Sequence, residues 1–216
     1  MIIAQPARVG RWVDTSFKLT RHVAEAVKAL GYEGIGRYVP LPGNSSAGDI
    51  DAPELEMICD VDLQVTLFQH VRGTKANPLW KPSLCSAIED ATTACGAAKN
   101  AGVPDSVTIY QDLEAVDDTT MNTMIYTERW GQYTTKGSYG AGLYVGYSAR
   151  LSPEELYALP DVHTYAADWG PRQVAVRGVS YRQIYAHPVI AGVNFDEAFV
   201  SVDALGGLPI VCGLAA

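Results

Sequence analysis

The stretch TIYQDLEAV, residues 108–116, joins a strand built for burial to a pair of acids. Its β-branched and aromatic residues favour extended backbone, and Asp112 and Glu114 follow two positions apart. Because strand side chains alternate between faces, the two carboxylates project the same way, about 7 Å apart along the strand. Like charges repel, and each resists burial. The pattern is typical of a site that uses acids, although a D-x-E also occurs on exposed strand ends and in divalent metal sites.

Strand-like and helix-like segments alternate on both sides of this stretch. A long helix is predicted before it, at 82–101, and another after it, at 118–136. Strand followed by helix, repeated, predicts parallel strands joined by right-handed crossovers. The other helices are predicted at 20–30, 53–61 and 152–159, and the strands at 11–14, 34–39, 63–69, 107–114, 141–147, 163–169, 181–186 and 189–195.

Eight strand candidates predict an α/β fold, a single TIM-type (β/α) barrel in which the helices of the last three units are reduced. A barrel with full-length helices needs about 250 residues, and the missing helices account for the 216 residues of this chain. A doubly wound open sheet is the alternative. It is disfavoured because DTSF (14–17), and no glycine-rich phosphate loop, follows the first strand. We expect residues 1–216 to form one barrel domain.

Charge and hydropathy exclude two classes of partner. The net charge is −8 and the pI about 4.9, so a polyanion such as nucleic acid is repelled at long range. No apolar stretch approaches the roughly 20 residues that span a bilayer. The four cysteines form no C-x-x-C pair and have no histidine at zinc spacing, so they are predicted to be structural thiols, with Cys95 a small buried side chain, and not a metal site.

The carboxyl ends of parallel barrel strands open onto one face, where chemistry sits in such folds. A cluster of acids there keeps one carboxyl protonated near neutrality while its neighbours stay ionised, as glycosidic cleavage requires. Aromatic side chains at the same ends offer flat faces for sugar rings. His70 is a weaker candidate, and His187 is predicted to be structural. The strand ends supply Asp14, Arg37, Tyr38, Gln69, His70, Asp112, Glu114, Tyr147, Asp168, Trp169, Gln183, Tyr185 and Asp196.

Six motifs in order along the chain resemble a known family, the family-25 glycoside hydrolases, which are lysozymes that cut bacterial peptidoglycan. The "GRYV" after a Gly-Tyr helix end is even more similar to the related glycoside-hydrolase-like group first catalogued as domain of unknown function 1906. The motifs span nearly the whole chain: WVDTS (12–16), GYEGIGRYV (31–39), IYQDLE (109–114), GLYVGYS (142–148), YAADWG (165–170) and RQIYAHPVIAGVNFDEA (182–198).

The resemblance implies roles for four acids. Glu114 is implied to be the general acid that protonates the leaving oxygen. Asp112 is implied to be either the base or the group that steadies a positively charged intermediate formed by the substrate's own N-acetyl group. Asp14 and Asp196 complete the catalytic set, and no metal or organic cofactor is needed. The substrate-binding residues are predicted to be Arg37, Tyr38, Gln69, Tyr147, Asp168, Trp169 and Tyr185.

The function expected from these residues is that of a lysozyme-like muramidase, a cell-wall endolysin that cleaves a β-1,4 glycosidic bond of peptidoglycan. A non-catalytic glycan-binding or structural barrel, and a glycosidase that acts on another polysaccharide, are the alternatives. The start MIIAQPAR (1–8) lacks a basic segment followed by an apolar run. The sequence therefore predicts synthesis in the cytoplasm without a signal peptide, and non-classical release or delivery to the wall, for example by a phage or another delivery particle.

Overall fold

The computed structural model describes residues 1–73, 79–160, 162, 164–167, 179–184, 186–202 and 207–215. Its helices are α1 (Arg21–Ala29), α2 (Ala52–Asp60), α3 (Leu84–Asn100), α4 (Thr120–Lys136) and α5 (Pro153–Ala158). Its strands are β1 (Ile2–Pro6), β2 (Gly10–Asp14), β3 (Gly34–Val39), β4 (Gln64–Gln69), β5 (Thr108–Leu113), β6 (Gly140–Val145), β7 (Thr164–Ala167), β8 (Val179–Ile184), β9 (Val189–Ile190), β10 (Val193–Asn194), β11 (Asp196–Val200) and β12 (Ile210–Leu214).

A closed ring of strands forms the centre of the fold. The order around it is β2, β3, β4, β5, β6, β7, β8 and β11, and β11 pairs with β2 to close it. The neighbours from β2 to β8 run parallel, whereas β11 runs antiparallel to both β2 and β8. The predicted TIM-type barrel is confirmed, and its five described helices follow the first five barrel strands.

The strand predicted at 189–195 is wrong. Val189–Ile190 and Val193–Asn194 pair with each other as a small hairpin, and the barrel strand is β11, which begins at Asp196. The hairpin turns at Ala191 and Gly192, which have φ values of 48° and 83°. Alanine rarely adopts this left-handed conformation, so the sequence VIAGVNF looked like one continuous strand.

Each described helix begins after a residue that caps it. Ser, Thr and Asp side chains accept a backbone N–H of the first turn, which would otherwise lack a partner. The caps are Thr20, Asp51, Ser83, Thr119 and Ser152. Among the described residues, no helix combines the length and the apolar character needed to cross a membrane.

Strands β1 and β12 were not predicted, and they close the barrel at the end opposite the strand carboxyl termini. They form an antiparallel pair, and Cys212 of β12 also pairs with Val65 of β4. Strands β4 and β5 pair only from Leu67 onward. Strand β12 pairs with β4 before that point, and its Val211 is buried in the same cluster as Trp12 at the amino-terminal end of the barrel.

Two hydrophobic cores share the barrel strands because alternate side chains face opposite ways. On β5, the outward Ile109 and Leu113 are fully buried in the core shared with the helices. The inward Tyr110 belongs to a second core inside the barrel. Burying one such side chain contributes roughly 1.5–3 kcal/mol. Asp112 follows Tyr110 on the inward face, so the same alternation that builds the core directs this acid into the barrel.

Candidate active site

A cleft at the carboxyl ends of the barrel strands contains all four acids that were predicted to be catalytic. It encloses about 290 Å³. The structure thus places Asp14, Asp112, Glu114 and Asp196 together, although they are separated by up to 182 positions in sequence. We call this site the acid cleft, and it is lined by Asp14, Tyr38, Phe68, Asp112, Glu114, Tyr144, Gln183, His187 and Asp196.

The barrel topology explains how the acids meet. Asp14 is the last residue of β2, Asp112 lies one residue before the end of β5, and Glu114 follows that strand. Asp196 was predicted to end a strand, but it begins β11. Because β11 is antiparallel, its first residue lies at the carboxyl end of its neighbours, and Asp196 pairs directly with Asp14.

Asp14 is buried, and its protonation is set by its surroundings. Burial, and to a smaller extent repulsion by Asp196, raise the pKa of Asp14 to about 7. A hydrogen bond from Tyr38, whose hydroxyl lies 3.2 Å from Asp14 Oδ1, works in the opposite direction, as does one from Gln183. At neutral pH Asp14 is therefore divided between its protonated and ionised forms.

Asp112 is the acid most strongly biased toward the protonated form. Burial raises its pKa well above the ordinary value, and repulsion by Glu114 and Asp14 adds to the effect. Its Oδ1 is buried and has no hydrogen-bond partner among the described residues. The surroundings of Asp112 therefore favour its protonated form.

The backbone around Glu114 is fixed by contacts on both sides. The indole Nε1 of Trp80 donates a hydrogen bond of 2.7 Å to the Glu114 carbonyl oxygen. Ala115, in a left-handed conformation with a φ of 52°, donates through its N–H to the Tyr147 carbonyl at 2.9 Å. Gly146 leaves room for the Glu114 side chain, since a Cβ there would overlap its carboxylate. Trp80 was not predicted, because it lies 34 positions before Glu114 in sequence.

His187 was predicted to be structural, but it lines the acid cleft. Its Nδ1 lies 2.6 Å from Asp196 Oδ1, and about half of its side chain is exposed. The eight residues between the two include the β9–β10 hairpin, which returns the chain to the same place. The histidine lies within the RQIYAHPVIAGVNFDEA motif (182–198), which is the only sequence signal that could have identified it.

Aromatic and amide side chains form the walls of the cleft. Tyr38, which was predicted, stacks on His70 at 4.8 Å between ring centroids. Tyr144 and Phe68 were not predicted. The Tyr144 hydroxyl donates a hydrogen bond of 2.8 Å to Gln183 Oε1. The strand prediction extended β6 to position 147, whereas it ends at Val145, so Tyr144 rather than Tyr147 faces inward.

Three residues predicted to bind substrate lie outside the cleft. Arg37 is fully buried; it pairs with Glu54 at 3.1 Å and donates hydrogen bonds to two loop carbonyls. Gln69 is also buried and accepts a hydrogen bond from Trp130 Nε1 at 2.8 Å. Tyr147 is 49% exposed and does not line the cleft. Arg37 and Gln69 stand next to the inward residues of their strands, so alternation turns them toward the helices.

The remaining predicted residues, Asp168, Trp169 and Tyr185, lie outside the described part of the chain. Within that part, no group of three or more His, Cys, Asp or Glu side chains is arranged to hold a metal ion. The chemistry available in the acid cleft is therefore that of carboxyl groups with different proton affinities, a histidine paired with one of them, and flat aromatic walls.

The sequence matches a known family of domains. A family model described as the Rv2525c-like, glycoside hydrolase-like domain matches residues 25–194. The resemblance to the group catalogued as domain of unknown function 1906 is a narrower prediction, and the description of the matching family does not name that group. No curated protein matches the sequence.

Three solved structures share the fold at low sequence identity. The Tat-secreted protein Rv2525c of Mycobacterium tuberculosis, in complex with L-tartrate, has a TM-score of 0.66 and 18% identity over 90% of this chain and 96% of its own. The spore cortex lytic enzyme SleM of Clostridium perfringens has a TM-score of 0.65 and 15% identity over 89% and 67%. The modular autolysin LytC of Streptococcus pneumoniae, with a synthetic peptidoglycan ligand, has a TM-score of 0.59 and 13% identity over 88% and 46%.

Proposed function

The chain belongs to the family of Rv2525c-like, glycoside hydrolase-like domains, and from that premise we propose that it is a peptidoglycan hydrolase that works by carboxylate acid–base catalysis. The observation that carries the proposal is the meeting of Asp14, Asp112, Glu114 and Asp196 in one cleft. Two of them, Asp14 and Asp112, have raised pKa values. Acids that differ in proton affinity within one site are what glycosidic cleavage requires.

We assign proton donation to Glu114. It is partly buried, as is Asp112, and it lies two residues beyond Asp112, just past the end of β5, where it lines the acid cleft. A bound glycan would remove water from Glu114, and burial favours the protonated form of a carboxyl group. A proton would then pass from Asp112 to Glu114, which donates it to the glycosidic oxygen as the bond from that oxygen to the sugar C1 breaks.

Asp112 is assigned to the intermediate. Its buried Oδ1, without a partner among the described residues, is suited to accept the N–H of an acetamido group on the sugar. The acetamido oxygen would bond to C1 as the leaving group departs, and the ionised Asp112 would stabilise the resulting positive charge. Water then adds to C1 and returns a proton to Glu114, which restores the pair. Asp14 and Asp196, the latter with His187, would orient this water and the sugar.

A muramidase that cuts the β-1,4 bond is the narrower proposal. It is supported by the similarity of the fold to SleM and LytC, which are lytic enzymes of bacterial walls. Tyr38 and Tyr144 supply aromatic surface beside the acids, and Asp168, Trp169 and Tyr185 stay predictions. An endolysin carried by a phage or delivery particle is a prediction that the described residues do not test.

The prediction that this protein is made without a signal sequence, and released by a non-classical route, is wrong. Rv2525c, whose fold covers 90% of this chain, is a Tat-secreted protein, which points to export by way of a signal sequence. The prediction relied on MIIAQPAR (1–8), but residues 2–6 of this stretch form β1 and pair with β12, so they are part of the folded domain and carry no information about export.

Reducing ends released from purified peptidoglycan test the proposal. Wild-type protein should release them, and Glu114→Gln should lower the rate by at least about 100-fold, because positioned proton transfer contributes 10²–10⁴-fold. Glu25→Gln, an exposed site on α1, is the matched control and should keep wild-type activity. Binding of peptidoglycan by the wild type without release of reducing ends would identify a non-catalytic module instead. Cleavage of another glycan, such as chitin, but not of peptidoglycan would leave a glycosidase of different specificity.

A further inference from the structure

A second depression adjoins the acid cleft and is not used by the proposed chemistry. We call it the loop groove; it encloses about 530 Å³. A smaller cavity of about 290 Å³ joins the two, since it shares Asp14 and Asp196 with the acid cleft and Ser16 and Phe17 with the loop groove. The loop groove is lined by Ser16, Phe17, Lys18, Ser46, Ala47, Gly48, Gly192, Val193 and Asn194.

Buried polar contacts hold the walls of the loop groove in place. The guanidinium of Arg37 donates hydrogen bonds to the carbonyl oxygens of Thr15 and Gly48, one from each of the loops that follow β2 and β3. Glu54 pairs with Arg37 and accepts the N–H of Leu19 at 2.8 Å. Arg37, which was predicted to bind substrate directly, thus joins the two loops from beneath. A groove whose walls are fixed in this way loses little conformational entropy on binding.

The third wall is the β9–β10 hairpin, and it is also attached. The Thr15 hydroxyl donates a hydrogen bond of 2.9 Å to the carbonyl oxygen of Asn194. The hairpin ends at Gly192, where an added Cβ would meet nothing within 4 Å, so the groove stays open on that side. The unpredicted hairpin therefore completes a channel that leads away from the acids.

The loop groove is lined mainly by uncharged side chains, and the charge of Lys18 is paired with acids. The ring of Phe17 is 56% exposed although it stands within a concave surface. Lys18 is the one charged lining residue, and its ammonium lies 2.8 Å from Asp51 and 3.4 Å from Glu54. An exposed aromatic face with hydroxyl and backbone groups around it suits a sugar ring, which has both apolar faces and hydroxyl edges. It does not favour a charged ligand.

We propose that the loop groove binds the neighbouring sugars of the glycan chain whose scissile bond lies in the acid cleft, with Phe17 stacked on an uncharged N-acetylhexosamine ring. This inference rests on the proposed function for the identity of the glycan. Its own content is that binding extends beyond the acids in the direction of Ser16 and Asn194. A chain of several sugars should therefore bind more tightly than one that fills the acid cleft alone.

The test uses the full chain with Glu114→Gln, so that hydrolysis does not consume the ligand. Peptide-free peptidoglycan oligosaccharides and N-acetylglucosamine oligomers of two, four and six sugars are titrated by calorimetry. Affinity should rise with length, and Phe17→Ala should weaken binding of the six-sugar chain by about tenfold while leaving the two-sugar chain nearly unchanged. Phe199→Ala, also at an exposed phenylalanine (43% exposed) but on β11 and away from the groove, should change neither.

Failure of this inference differs from failure of the proposed function. Affinity independent of length, no binding of any oligomer, or equal losses in Phe17→Ala and Phe199→Ala would overturn it. Release of reducing ends by the wild type would still support the hydrolase in that case. Conversely, length-dependent binding that requires Phe17, in a protein that releases no reducing ends, would uphold the groove and reject the catalytic proposal. Thermal unfolding of each variant confirms that it is folded.

Discussion

Inside the barrel, the inward-facing side chains of β2 and β5 change from aromatic to acidic over a step of two residues. Trp12 is followed on the inward face of β2 by Asp14, and Tyr110 is followed on β5 by Asp112. The lower half is a packed core in which Phe68 stacks on Tyr110 with ring centroids 5.3 Å apart. The upper half is the open acid cleft. The two halves are therefore adjacent layers of one set of strands with opposite chemistry.

The aromatic layer below the acid cleft explains why the pKa values of Asp14 and Asp112 are raised. A layer of aromatic rings beneath a carboxyl group keeps water away from one side of it, and loss of water disfavours the charged form. Burial is accordingly the largest cause of the raised pKa of both Asp14 and Asp112. The lower half serves stability directly and serves the chemistry through the acids above it. The predictions that follow test how far these two contributions can be separated.

Of the variants considered, Asp112→Asn in the upper half should have the largest effect on activity. Under the proposed mechanism this change removes the group that stabilises the intermediate, so it should lower peptidoglycan hydrolysis by about 100-fold or more. Stability should stay or rise, because an amide is uncharged at every pH, whereas burial and the neighbouring Glu114 and Asp14 disfavour the ionised form of Asp112. The measurements are the rate of reducing-end release and the free energy of unfolding in urea.

Asp105→Asn is the control for that prediction. Asp105 is exposed and precedes the opposite end of β5, so the variant should retain both activity and stability. A large loss of stability in Asp112→Asn, with activity that recovers when the protein is refolded or cooled, would show that Asp112 supports the fold rather than the chemistry. The division between the two halves would then be misplaced.

Asp14→Asn should change how the stability of the protein depends on pH. The pKa of Asp14 is about 7 in the folded protein and about 3.9 in an unfolded chain. Between these values the folded state binds more protons, so stability should fall as pH rises from about 4 to about 7. The shift corresponds to a loss on the order of 4 kcal/mol across this window. Asparagine does not titrate, and the variant should lose this part of the pH dependence.

Unfolding midpoints at pH 5 and pH 8 measure the effect. The wild type should be less stable at pH 8, and Asp14→Asn should narrow the difference, by about 2–4 °C for each kcal/mol recovered. Part of the slope should remain, since the raised pKa of Asp112 acts in the same direction. In Asp105→Asn the pH dependence should equal that of the wild type. Parallel curves for wild type and Asp14→Asn would mean that Asp14 stays ionised in the folded state.

The sequence predicted the upper half better than the lower half. Hydrophobic periodicity identified the barrel because its change from strand to helix is local, and the acids at strand ends followed from the parallel order. Register is not local. Nothing within GRYV (36–39) tells which of Arg37 and Tyr38 faces inward; that depends on the pairing of Gly36 with Asp14 on β2. Arg37 was assigned to substrate binding for this reason, and the structure places it beneath the loops.

Contacts made across long separations were missed for a related reason. His187 reaches Asp196 because a hairpin turns at Ala191, and Trp80 contacts the Glu114 carbonyl across 34 positions of sequence. Ala191 in that hairpin and Ala115, which follows Glu114, both adopt a left-handed backbone conformation that alanine rarely favours. Functional geometry of this kind depends on locally unfavourable conformations that the surrounding fold stabilises.

Gly142→Ala should break the lower half with the smallest effect of the series. An alanine Cβ at this inward position of β6 would lie 2.6 Å from the ring of Tyr110, and overpacking of this kind costs about 1–3 kcal/mol. Gly96→Ala is the matched control. Gly96 is exposed within α3 with nothing within 4 Å, so alanine there should stabilise by about 1 kcal/mol. Opposite shifts in unfolding midpoint are expected for the two variants.

Hydrolysis should fall less in Gly142→Ala than in Asp112→Asn, because the Tyr110 ring can shift without moving the acids. An equal loss of hydrolysis at a temperature where Gly142→Ala is fully folded would show that the aromatic layer sets the position of Asp112, and the two halves would then be one functional unit.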